Sequence, residues 1–199
     1  MEFIIAESTE DMSRRAADRI ASFVEADPSC VLGLATGTTP IGLYACLVDD
    51  CAQGKISFAD VTTFNLDEYR GLDPEHDQSY RYFMKKHLFD HVDIDQARTH
   101  VPEGSNPDAE AVCAAYEQAI EEAGGIDLQL LGLGPNGHIG FNEPGSSLAS
   151  GTRVKTLAER TRIDNARFFN NDVNQVPMHC ITQGIGTILK ARHLVLVAF

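Results

Sequence analysis

Short apolar runs alternate along this chain with segments whose apolar positions recur at helical spacing. Phe3–Ala6 reads as a first strand. Ser8-Thr9-Glu10-Asp11 supplies a helix start, an N-cap hydroxyl followed by acids. Ala16, Ala17, Ile20, Phe23 and Val24 carry that helix until Asp27-Pro28 ends it. Cys30–Ala35 is a short buried strand, and Ile41, Leu43, Tyr44 and Leu47 predict a helix with Pro40 in its first turn. Val61–Leu66 is the next strand. Ser79–Val92 is helical, with aromatics such as Tyr82 and Phe83 expected to pack a core rather than line a pocket. Asn106-Pro107-Asp108 starts a helix built on Ala111, Val112, Ala115, Tyr116 and Ile120, and Gly124-Gly125 stops it. Ile126–Leu133 is an apolar strand that needs both faces covered. Thr161–Phe169 and the glycine-rich Thr182–Lys190 read as helices, Val176–Met178 as a loop, and His193–Phe199 as a last strand. Regular alternation of this kind predicts an α/β protein with an open, mainly parallel sheet and helices on both faces.

The chain's 199 residues suit one domain with a sizeable core, and the expected unit is 1–199. No apolar run reaches the length of a bilayer span and Met1-Glu2-Phe3 lacks a basic leader, so no membrane association is expected. A formal charge of −13 argues against nucleic acid, whose phosphates need a basic face. The same charge repels small anions at long range, so a phosphate site would have to be built locally. The five cysteines, Cys30, Cys46, Cys51, Cys113 and Cys180, are odd in number and show no CxxC spacing. Free thiols in a reducing cytoplasm fit better than a disulfide framework or a zinc site, with Cys30 and Cys180 as core fillers. His87 and His91 have i,i+4 spacing but no third ligand, so an ordinary surface pair is expected and no metal.

The chemistry concentrates in the turns after strands. Gly134-Pro135-Asn136-Gly137 breaks the apolar run ending at Leu133, and His138, Asn142 and Glu143 follow directly. A buried strand that delivers a rigid loop of His and Glu is how an open α/β sheet presents an active site. Thr36-Gly37-Thr38-Thr39-Pro40 joins a strand to a helix N-terminus, an arrangement that captures phosphate; the bland alternative is a plain capped turn. Asp67 and Glu68 close a strand, where adjacent side chains point different ways, so one of them is expected to face the site. The bland alternative there is an Asp capping the next turn. Gly151–Lys155 adds a small basic cluster, and Arg162 and Arg167 are available for an anion. Together these parts suit proton abstraction beside a carbonyl on a phosphorylated small molecule: a carboxylate base, a His for acid–base work on ring opening, and Glu143 setting the His. Bottom-up, that is a sugar-phosphate isomerase or hydrolase.

The segments LGLATGTTPIGLY, TFNLDEYRGLDPEHDQSYRYFM, LGLGPNGHIGFNEPGSSLASGTRVKTL, NARFFNNDVNQVP and ITQGIGTIL, in this order, closely resemble the glucosamine-6-phosphate deaminase family. The resemblance implies a Rossmann-like fold and conversion of glucosamine 6-phosphate to fructose 6-phosphate and ammonia, with neither metal nor organic cofactor, in cytoplasmic amino-sugar catabolism. It implies Asp67 as the base moving the C2 proton to C1, His138 as the ring-opening group, and Glu143 tuning that His. The charge-linked position usually held by Asp or Asn is Asn136, which steadies an imidazolium less than Asp would. Phosphate is implied to bind at Gly37, Thr38, Thr39 and Arg167. A further phosphate ligand, a Lys in a Gly-x-x-Lys segment after the strand ending at Phe199, is not in this chain. That fits an expectation drawn from the strand itself: a central apolar strand ending bare at Phe199 suggests a C-terminally truncated domain. Family members include hexamers activated by N-acetylglucosamine 6-phosphate through the region matching Ser146, Arg153 and Lys155, and monomers without that control. A homo-oligomer therefore stands open.

Three rivals remain. 6-Phosphogluconolactonase resembles this family in fold and in the Gly-His turn, but typically follows its His with Thr-Ala-Ser, where this chain has Ile139-Gly140-Phe141. Lactone hydrolysis also has no use for a base such as Asp67. A sugar-phosphate-binding regulator would be marked by loss of Asp67, His138 or Glu143, and all three are present. A plain α/β domain would leave those polar positions coincidental.

Overall fold

The computed structural model describes residues 1–199. In chain order the elements are α1 (Thr9–Ala26), β1 (Val31–Leu34), α2 (Ile41–Ala52), β2 (Thr62–Asn65), β3 (Asp67–Tyr69), α3 (Tyr80–His87), β4 (Thr99–His100), α4 (Ala109–Glu122), β5 (Leu128–Gly132), β6 (Arg153–Thr156), α5 (Glu159–Asn165), β7 (His179–Thr182), α6 (Ile185–Leu189) and β8 (His193–Val197). The helix starts follow their caps. Ser8 Oγ accepts from Asp11 N–H at 3.1 Å, Ser79 Oγ from Tyr82 N–H at 3.0 Å, and Asp108 Oδ1 from Ala111 N–H at 3.0 Å. Pro40 is the N-cap of α2 rather than part of its first turn.

Five strands form a parallel sheet in the order β4-β2-β1-β5-β8. Both faces are covered, as a parallel sheet requires. On one face Ile20 of α1 and Leu43 and Leu47 of α2 pack with Leu32, Leu128 and Leu130. On the other, Tyr116 and Ile120 of α4 cover Val31 and Phe64, and the Tyr116 hydroxyl donates to the Asn65 carbonyl at 2.8 Å. Cys30 is buried in the first of these cores and Cys180 in a separate cluster with Tyr69, Phe141 and Phe169, and all five cysteines are unpaired. No helix is long and apolar enough to cross a membrane.

A second, antiparallel sheet in the order β3-β7-β6 carries the chain away from the first. The transfer occurs at one residue. Leu66 N–H still donates to the Leu34 carbonyl of β1 at 3.0 Å, while its own carbonyl accepts from Gln183 N–H beyond β7 at 2.8 Å. Asp67 is therefore the first residue of the second sheet. None of the three strands of this sheet was separated as such by the sequence pattern.

The structure corrects three expectations. Phe3–Ala6 is not a strand; Phe3, Ile4 and Ile5 are exposed and pair with nothing in either sheet. β8 is an edge strand rather than a central one, with Leu194 and Leu196 exposed. Helices also end sooner than expected: α3 stops at His87, and Val92 lies past a separate short 3-10 turn. His87 and His91 accordingly do not share a helix face. His87 packs on Phe83, and His91 Nε2 bonds the Lys86 carbonyl at 2.9 Å.

Candidate active site

A cavity of about 880 Å³ opens where the loops after β1 and β5 meet Asp67, the start of α3 and the segment from α5 to Phe169. This is the C-terminal edge of the parallel strands, where open α/β sheets bind ligands. The turn after β1 is held open by Gly37 at φ 103°, a backbone state that side chains disfavour. The backbone N–H groups of Gly37, Thr38 and Thr39 donate to no acceptor within the chain, and the three residues line the cavity beside the start of α2. The geometry is that of an anion cradle.

Asp67 and Glu68 diverge as adjacent strand residues must. Glu68 turns away from the cavity and accepts from the N–H groups of Tyr69, Tyr80 and Arg81 at 2.8, 2.9 and 3.0 Å, capping α3. Asp67 faces the cavity, 5% exposed, and its carboxyl accepts no hydrogen bond from the chain. Burial, with a contribution from the neighbouring Glu68 charge, pushes the Asp67 carboxyl up to about 8. Gly140, at φ 58°, borders it so closely that a Cβ there would stand 3.1 Å from Asp67 Oδ2.

The loop after β5 holds His138 through a relay. Asn136 Oδ1 lies 2.7 Å from His138 Nδ1 and accepts the His138 backbone N–H at 3.2 Å. Asn136 Nδ2 donates to Glu143 Oε2 at 2.6 Å. Glu143 thus reaches the imidazole through Asn136 rather than directly. His138 lines the cavity, whereas Asn136 and Glu143 stand behind it. The far side of the loop is clasped by Asn142, whose Nδ2 donates to the Gln183 carbonyl at 2.8 Å and whose Oδ1 accepts from Arg153 Nη2 at 2.7 Å.

Arg167 follows α5 in a 3-10 turn and is exposed at the cavity mouth, its guanidinium 4.7 Å above the Phe168 ring. It makes no hydrogen bond or ion pair with the chain, leaving its donors free for an anion. Arg162 does not share that role: its Nη2 donates to the Val173 and Val176 carbonyls at 2.7 and 3.3 Å.

Other contributors were not legible. Thr161 Oγ1 donates to Glu143 Oε1 at 2.8 Å across 18 positions of sequence. Asn165 Nδ2 donates to the Tyr69 hydroxyl at 2.8 Å, and the Tyr69, Tyr80 and Phe141 rings cluster against one another at the cavity wall. Tyr82 and Phe83 also line the cavity, against the expectation that aromatics here serve only the core. The one available signal was the aromatic content of the segment after Asp67; periodicity assigned it to packing.

Over residues 5–199 the chain matches the family of glucosamine-6-phosphate isomerases and 6-phosphogluconolactonase. A glucosamine-6-phosphate deaminase of Geobacillus sp. (strain WCH70) is 54% identical over 198 residues, covering 100% of this chain and 78% of that protein. One from Hahella chejuensis is 56% identical over 199 residues, covering 100% of this chain and 75% of the other. The solved structure of a monomeric glucosamine-6-phosphate deaminase superposes with a TM-score of 0.96 at 43% identity, covering 98% of this chain and 81% of that one. The 6-phosphogluconolactonase of Trypanosoma brucei shares the fold, with a TM-score of 0.77 at 20% identity over 98% of this chain and 80% of its own. The chain belongs to the glucosamine-6-phosphate isomerase/6-phosphogluconolactonase family.

Proposed function

We propose that this protein converts glucosamine 6-phosphate and water to fructose 6-phosphate and ammonia in amino-sugar catabolism, with residues 1–199 acting as one sugar-phosphate domain. The substrate phosphate sits on the N–H groups of Gly37, Thr38 and Thr39 and on Arg167. His138 Nε2 opens the pyranose ring by shuttling the proton between the C1 hydroxyl and the ring oxygen. Asp67 then takes the C2 proton and returns it to C1, while the amino nitrogen gives a proton to O1, leaving a C1 alcohol and a C2 imine. The resulting C2 imine adds water and releases ammonia, so the C–N bond breaks by hydrolysis. Asn136 and Glu143 act behind His138.

The observation that carries this reading is Asp67: a buried carboxyl with no hydrogen-bond partner, facing the cavity that His138 and Arg167 also line. A carboxylate in that setting is a stronger base than one in water and has no structural bond to give up. The high identity to deaminases supports the same reading. Likeness to lactonases extends to the fold alone.

The test is ammonia release from glucosamine 6-phosphate, measured on the 199-residue chain and on a version extended to its relatives' full length. Release from either supports the deaminase. Absence from both in folded protein, with hydrolysis of 6-phosphogluconolactone instead, would replace it with the lactonase reading.

A further inference from the structure

Helix α5 reaches the catalytic loop through a single hydroxyl. Thr161 Oγ1 donates to Glu143 Oε1 at 2.8 Å, and Asn136 Nδ2 donates to Glu143 Oε2 at 2.6 Å, so each carboxylate oxygen has one donor from a different element. A carboxylate only accepts, which fixes the Asn136 amide with its nitrogen toward Glu143 and its oxygen toward His138. That oxygen accepts from Nδ1 of the ring at 2.7 Å. The neutral imidazole therefore carries its proton on Nδ1 and its lone pair on Nε2, the nitrogen left for the substrate. The Thr161 hydroxyl makes no other bond; it neither caps α5 nor bonds back to a carbonyl of its own helix, and its residue is 7% exposed. The chain also continues directly from α5 into the turn that carries Arg167.

We propose that Thr161 is a positioning residue for His138: by fixing Glu143 it orients Asn136, and so selects the imidazole tautomer from the segment that also holds the candidate phosphate ligand Arg167. Without this hydroxyl, Glu143 keeps one donor and can turn about its side chain. Asn136 then loses the fixed acceptor that prevents its amide from flipping. A flipped amide presents N–H to Nδ1 and favours the opposite tautomer, which places the proton on Nε2 and removes the lone pair from the cavity.

The decisive measurement is histidine 15N NMR at alkaline pH on the full chain, comparing wild type, Thr161→Val and Thr161→Ser. Wild type and Thr161→Ser are expected to give His138 as the Nδ1–H tautomer, and Thr161→Val a mixture in which the Nε2 resonance moves toward the protonated position. A folded Thr161→Val protein whose His138 resonances match wild type would overturn the proposal, as would a Thr161→Ser protein that behaves like Thr161→Val. This readout needs no turnover, so a silent ammonia assay would remove the deaminase reading without touching the result. The kinetic arm does rest on that reading. Thr161→Val is expected to lower kcat about tenfold with KM nearly unchanged, and a change confined to KM would contradict a role exercised through His138.

Discussion

The imidazole of His138 lies over Gly134, so close that a Cβ at that glycine would overlap both Cε1 and Nε2. The ring therefore has backbone on one side and Asn136 on its Nδ1 edge, and the residue lines the cavity. Gly134→Ala would drive the ring out of this slot. The expected result is a kcat lower by roughly 100-fold with the melting transition little changed, because the loop lies at the surface. Steady-state kinetics beside calorimetry checks it.

The relay behind His138 makes a separate prediction about ring opening. His138→Gln is expected to slow the cyclic substrate far more than an open-chain analogue, and equal losses would deny it that role. Asn136→Asp would set a second carboxylate beside both Glu143 and His138 Nδ1. An anion there favours the imidazolium, so the limb of the kcat–pH profile that requires neutral His138 should move to higher pH.

Asp67 should reveal itself in two pH dependences. A base held up to about 8 is protonated at neutral pH in the free protein, so kcat/KM should climb through that region rather than through the ordinary carboxylate range. With the proposed amino-sugar substrate bound, an ammonium beside Asp67 would favour its carboxylate, and the limb in kcat should lie lower. Stability should run the other way. The folded state keeps this proton to higher pH than the unfolded state does, so the contribution is full in acid, declines as pH rises from about 4 and levels once Asp67 ionises. Asp67→Asn should abolish that decline along with turnover, lowering kcat by about 1000-fold or more. Paired denaturation and kinetic profiles measure both.

Arg167 is braced only by the Phe168 ring and has no carboxylate partner to release. Arg167→Ala is therefore expected to raise KM by roughly 10- to 100-fold while leaving kcat within a fewfold. An unchanged KM would place the phosphate elsewhere.

What could be read from sequence divides by the range of the forces involved. Local signals succeeded: the Ser8 and Asp108 caps, the apolar strands at Val31 and Leu128, and the glycine turn before His138 all stand where short-range patterning put them. Phe3–Ala6 has strand composition, yet a strand exists only through a partner, and no strand of either sheet pairs with it. The antiparallel sheet is hidden in the sequence for the converse reason. Asp67–Tyr69 and Arg153–Thr156 are short and polar, and only pairing with distant His179–Thr182 makes them strands. Asp67, His138, Glu143 and the Gly37–Thr39 turn sit in distinctive local stretches that mark them as candidates, and Asn136 stands out only through the resemblance; the structure brings Asp67, His138 and that turn to one cavity, with Asn136 and Glu143 behind His138. The grip of Thr161 on Glu143 was not, because nothing in either segment announces a contact made only by folding.

The passage of the chain through Leu66 has a consequence for how the site keeps its alignment. The cradle at Gly37–Thr39 and the His138 loop issue from the parallel sheet, whereas Asp67 opens the antiparallel one. Proton transfer tolerates little error in distance, so the site's working tolerance is that of a joint between two separately hydrogen-bonded bodies. Leu66, bonded by its N–H to one and by its carbonyl to the other, is the pin of that joint. Protection of its amide against hydrogen exchange would then report how well the Asp67 carboxyl and the Gly37–Thr39 turn stay in register, even with every candidate side chain intact.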